Sequence, residues 1–210
     1  MLEFLRGTAR TPSPLPLFPL KTVLFPGGIL PLKVFEQRYI EMSTECLKHD
    51  EPFGVCLLKQ GDEVNLPGSE RHRAEFAEIG TTARIAQCDV PQLGILHLRT
   101  EGGTRFKVHS HEVNELGLVM AQVTAIASEP RAALDESHRP LVELLDLLMT
   151  RVGREHFSAQ PALDDASWVG YRLAELLPLP LAIKQTMLEI NDSEVRLKVI
   201  AQFLREQGVL

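Results

Sequence analysis

Read from the amino terminus, the hydrophobic pattern of the chain changes period once. Over residues 15–127, short apolar runs at 22–25, 29–34 and 53–58 are punctuated by proline and glycine, the pattern of strands and turns. One amphipathic helix interrupts them: Phe35, Tyr39, Met42 and Cys46 repeat at a helical spacing and are expected to share an inward face. Leu96 and Leu98 alternate inward before the Glu101-Gly102-Gly103 sequence, and Phe106 and Val108 after it. The two pairs share a face if Thr100 pairs with Thr104, which predicts a hairpin whose three-residue loop holds Gly103 at positive φ.

After Ser128-Glu129-Pro130 the period becomes helical. Residues 138–157 carry Leu141, Leu144, Leu145, Leu148 and Val152 along one stripe, with Pro140 tolerated in the first turn. Further helices are expected over 165–177, ending before Pro178, over 181–190, and over 191–208, where Asn191 and Glu194 have capping-box spacing. The pattern therefore predicts an α+β fold. A flexible lead-in (1–14) precedes a β-rich lobe (15–127), a linker (128–137) and a helical lobe (138–210).

Composition narrows the class without naming a chemistry. A hydrophobic share of 44% and a charged share of 24% exclude a disordered or fibrous chain. A formal charge of -6 speaks against a dedicated nucleic-acid binder, which concentrates lysine and arginine against phosphate. Cys46, Cys56 and Cys88 form no CxxC pair, so neither a disulfide framework nor a cysteine-rich zinc site is expected, and the chain reads as cytoplasmic. No apolar run approaches a membrane span or a secretory leader, and neither insertion nor secretion is expected.

The segment LPLFPLKTVLFPGGILPLKVFEQRYIEM, residues 15–42, resembles the opening of the substrate-binding domain of Lon-type proteases. EIGTTARI (78–85), EGGTRFKV (101–108), LVMAQVTAI (118–126) and the helical stretch 168–197 continue the similarity in the same order over nearly the whole chain. The resemblance implies a PUA-like β-barrel lobe and a role in recruiting unfolded or tagged polypeptide. Fold alone does not transfer function, so the second implication is analogy.

The chain lacks what the rest of a Lon enzyme needs. It contains no Gly-Lys dipeptide, hence no phosphate-binding loop, and no GxSxG elbow. It ends at Leu210, before the place of the family's catalytic serine and lysine. The expectation is a non-enzymatic binding module without a cofactor. It would recognise unfolded or extended polypeptide in protein quality control, with a Lon-type protease as a further partner.

Glu36, Arg38 and Tyr39 of the FEQRY sequence, together with Trp168, are the candidate binding residues, although a structural role is the favoured reading: Tyr39 and Trp168 pack inward, and Glu36 and Arg38 steady the join of strand and helix. His97, Arg99, Arg105, Lys107 and His109 form an alternative basic face across the expected hairpin. Its histidines, with His111, have strand spacing suited to metal ligation, but the interleaved cations oppose a metal ion. That face would serve an RNA-binding PUA-like protein; an enzyme with an unrecognised site is the other alternative.

Overall fold

The computed structural model describes residues 11–60, 75–157 and 161–210, which fall into two units, Met1–Ser128 and Glu129–Leu210. Apart from one helix between the second and third strands, the strands precede the helices along the chain, giving a mixed fold of one sheet system and five α-helices among the described residues.

In the first unit, β1 (Ser13–Leu20), β2 (Ile29–Val34), α1 (Gln37–His49), β3 (Phe53–Gln60), β4 (Glu75–Phe76), β5 (Ile79–Gln92), β6 (Ile95–Val113) and β7 (Val119–Ala125) follow in order. Hydrogen bonding runs β1-β7-β6-β5-β3-β4, with β2 beside β6; β1 also pairs in parallel with β3, so the path returns to its first strand. Of the expected lead-in, residues 1–10 lie outside the described residues, and β1 already includes Ser13 and Pro14.

The prolines of β1 fall where a strand tolerates them. Successive amides point to opposite edges, and a proline has no donor to offer. Pairing of Leu15 with Ala121 and of Leu17 with Val119 assigns their amides to β7. Pro14 and Pro16 then face the opposite edge, which β3 joins only from Leu17 onward.

Two apolar clusters fill this unit. Phe18, Tyr39, Met42, Phe53, Val55 and Leu98 belong to one; Leu17, Cys56, Phe106, Val108 and Val123 belong to the other. Consecutive residues of β1, Leu17 and Phe18, thus serve different clusters, which is why the second half of the strand is buried on both faces.

Three sequence-based expectations are corrected here. Residues 22–25 are not a strand: Val23, Leu24 and Phe25 are buried, but the chain runs irregularly into a turn in which Gly27 donates to the Gly102 carbonyl (2.7 Å) and Gly102 donates to the Gly28 carbonyl (2.8 Å). Phe35 precedes α1 and is 49% exposed, so the inward face of the helix is Tyr39, Met42, Ser43 and Cys46.

The third correction is the hairpin. β6 continues straight through Gly102-Gly103, neither of which has positive φ; the chain instead reverses at Leu93-Gly94, between the paired Gln92 and Ile95, with Gly94 at φ 81°. The glycines serve close approach. The Phe25–Gly28 turn lies against Gly102, and β6 bulges there, with Ala83 opposite Gly102 but Thr81 opposite Arg105.

The second unit contains α2 (Arg139–Val152), α3 (Ala166–Leu176), α4 (Leu181–Glu189) and α5 (Ser193–Glu206). The buried stripe of α2 is Leu141, Leu145 and Met149, whereas Val152 is exposed and Gly153, at φ 100°, ends the helix. Asp165 caps α3 by accepting from the Ser167 amide (3.1 Å). Asp192, rather than Asn191, caps α5, accepting from the Val195 amide (3.1 Å), because the cap must reach the third helical amide.

Glu129 opens this unit as the centre of a buried polar cluster, not as a solvated linker residue. Its carboxylate accepts from Ser167 Oγ (2.9 Å), Tyr171 Oη (2.8 Å) and both terminal nitrogens of Arg196. The guanidinium lies over the Tyr171 ring at 3.9 Å and donates to the Met187 and Ile190 carbonyls. Glu129 and Arg196 side chains are 2% and 0% exposed, so the two charges depend on one another.

Candidate functional site

α1 supplies one wall of an open groove in the first unit. Arg38, Met42, Glu45 and His49 recur at helical spacing and face the same way, with Glu41 and Cys46 beside them. The helix ends at Asp50, whose left-handed backbone (φ 53°) turns the chain into Glu51-Pro52. The start of β1, from Thr11 to Pro16, forms the opposite wall, and the β6–β7 turn with Met120 closes one end. The groove has a volume of about 970 Å³. Buried Leu15, Met42, Cys46 and Leu118 form its floor, while Leu116 stands 54% exposed at its mouth.

Arg38 holds the turn in place. It donates through Nη1 to the Gly117 carbonyl (2.8 Å), pairs with Glu36 (2.9 Å), and lies over the Tyr39 ring at 4.4 Å. Glu36 occupies the cap position of α1 but makes no side-chain cap; its carboxylate is engaged by Arg38 instead. Gly117 takes φ 83° within a turn that Asn114 fixes by accepting from the Leu116 and Leu118 amides. Tyr39 is buried and stacked on Phe18, ring centroids 3.7 Å apart. Of the FEQRY residues, Arg38 alone lines the groove, Glu36 orients it and Tyr39 belongs to the core. Trp168 is half-buried on α3 in the second unit.

The alternative basic face does not assemble. Because β6 is one strand, His97 and His109 lie twelve residues apart along it, about 40 Å at the usual rise, and not across a hairpin. Arg105 is only 3% exposed. His97 and Lys107 are exposed, Arg99 is half-buried, and His109 bonds Thr124 Oγ1 at 2.8 Å. Among the described residues no three His, Cys, Asp or Glu side chains gather as metal ligands. None of their helices is long and apolar enough to cross a membrane.

The groove, not the basic stripe, is the feature the sequence left unseen. Glu41, Glu45 and His49 lie outside the Tyr39, Met42 and Cys46 core stripe of α1, and only the placement of β1 and the β6–β7 turn makes that face a wall.

Burial silences two of the three thiols. It pushes Cys46 up to about 12, with Glu51 and Glu45 adding to the effect, and Cys56 to about 12. Cys88, half-buried on β5, is raised by burial and by Asp89. At pH 8 the native chain is therefore expected to react with about one equivalent of a thiol-disulfide reagent, at Cys88, and with three after unfolding. Rapid loss of two or more thiols from native protein would contradict the raised thiol of Cys46 or the burial of Cys56.

Comparison with known proteins places these features. Residues 14–206 match the family model described as the ATP-dependent protease La (LON) substrate-binding domain. The Lon protease of Anaeromyxobacter dehalogenans and Lon protease 2 of Myxococcus xanthus are each 27% identical over 208 residues, covering 93% of this chain. The chain spans only 23% and 24% of the length of those two relatives. A Lon N-terminal domain protein from Xanthomonas campestris superposes with a TM-score of 0.71 at 35% identity, covering 90% of this chain and 98% of its own. The N-terminal domain of the Mycobacterium avium complex Lon protease, at 18% identity, TM-score 0.60 and coverages of 90% and 97%, shares the fold. With nearly its whole length matched, from β1 to the last turn of α5, the chain belongs to the Lon protease substrate-binding domain family.

Proposed function

We propose that this chain is a binding module that holds unfolded or extended polypeptide in the groove beside α1, without catalysis of its own. It would serve protein quality control in the cytoplasm, with a Lon-type protease as the partner that consumes what it holds. Membership of a substrate-binding family supports the class of ligand. The observation that carries the reading is the groove itself: an open trough of about 970 Å³ with an apolar floor. The return of strand pairing to β1 supports a PUA-like barrel as the scaffold.

Leu116 offers a clean test because it is exposed and its backbone, not its side chain, is held by Asn114. Leu116→Glu should weaken binding of a fluorescent, permanently unfolded polypeptide by about five-fold or more while leaving the circular dichroism spectrum unchanged. Binding that the substitution does not alter would remove the groove as the site.

A further inference from the structure

Resting on the polypeptide reading above, we infer that the groove selects extended segments in which apolar side chains alternate with lysine or arginine. Its walls carry four carboxylates, Glu41, Glu45, Asp50 and Glu51, against Arg38 and His49. Arg38 is paired with Glu36, and Glu45 lies 3.3 Å from His49 and 3.6 Å from Lys48. Arg84 offsets Asp50 at 2.8 Å. The trough therefore presents a net negative field above an apolar floor, in a chain whose formal charge is already -6.

The rows on α1 set the spacing. Met42 and Cys46 lie on the floor, and Glu41 and Glu45 form a parallel row at the rim, each pair one helical turn apart. That repeat is about 6 Å, close to the roughly 6.6 Å between alternate side chains of an extended peptide. The wall from Arg38 to His49 is about 17 Å long, enough for about five extended residues. Strand addition along the opposite wall is disfavoured, because Pro14 and Pro16 leave the free edge of β1 without donors. Recognition then falls to side chains, whose chemistry is what the two rows discriminate. A phosphate backbone would be repelled by the same rim.

Three labelled peptides of equal length, alternating leucine with lysine, glutamine or glutamate, test this against the full chain by fluorescence anisotropy. The lysine peptide should bind best and the glutamate peptide worst, by about ten-fold between them at low salt, with the gap narrowing as salt is added. A double variant, Glu41→Lys with Glu45→Lys, should abolish or reverse the order while still binding the glutamine peptide.

Equal binding of all three peptides overturns the charge selection and leaves the polypeptide reading standing, whereas binding of none overturns both. A lysine preference that persists in the double variant places the selecting charge elsewhere and also overturns the inference. So does a native dimer that Leu116→Glu converts to monomers, since a second copy would then fill the groove.

Discussion

Glu129→Ala is expected to destabilise the second unit by about 3 to 5 kcal/mol, because it leaves the Arg196 guanidinium buried without its counter-charge. It also strips partners from Ser167 and Tyr171 on α3, so the opening segment, α3 and α5 lose their common anchor together. The single tryptophan, Trp168, lies on α3 and reports this unit directly by its fluorescence in urea. An unchanged midpoint would show that the buried cluster contributes nothing to stability.

The same carboxylate predicts an acid limb. Burial opposes its ionisation, but hydrogen bonds and charge from Arg196, with hydrogen bonds from Tyr171 and Ser167, outweigh burial and hold it below its ordinary 4.5. A carboxylate whose value is lower folded than unfolded stabilises the fold above about 4.5, and loses that contribution as pH falls through the folded value. Wild type should therefore weaken below that pH, and Glu129→Gln should show a shallower acid limb.

Gly102→Ala should strongly destabilise the first unit, by about 3 kcal/mol. A Cβ there would stand 2.2 Å from the Phe25 carbonyl oxygen, and backbone on both sides prevents retreat, since Gly102 is hydrogen-bonded to Gly27 and Gly28. Gly94→Ala is the control: no atom lies within 4 Å of its Cβ position, and only its φ of 81° resists, for about 1 kcal/mol. Calorimetry of the two variants should show the larger loss at Gly102; equal losses would mean that the approach of the Phe25–Gly28 turn is not close.

These two sites also mark where sequence reasoning stopped. Apolar runs and periodicity placed β2, β3 and the helices, because period and punctuation are local, while β7 came only through the family resemblance. Periodicity failed at Gly102-Gly103 because the even-numbered residues Leu96, Leu98, Phe106 and Val108 fit a strand folding back on itself as well as one running on past a bulge. Glycine signals either a turn or a close approach, and only the position of Phe25, far away in sequence, separates the two.

Glu129 read as linker because its partners, Tyr171 and Arg196, have no periodic relation to it. The groove was hidden for the same reason. Its α1 face is legible, but its other wall depends on where β1 is placed by pairing with β7 and β3.

That placement has a consequence in time. β1 leaves the ribosome before its antiparallel partner β7, which is made about a hundred residues later, an interval of roughly 5 to 20 seconds at ordinary rates of synthesis. During that interval LPLF is an apolar strand whose β7 edge has no partner, even once β3 has been made, the condition in which nascent chains pair with one another. Pro14, Pro16 and Pro19 remove the donors such mispairing would use. The residues that let β1 fit its final place thus also guard it while it waits.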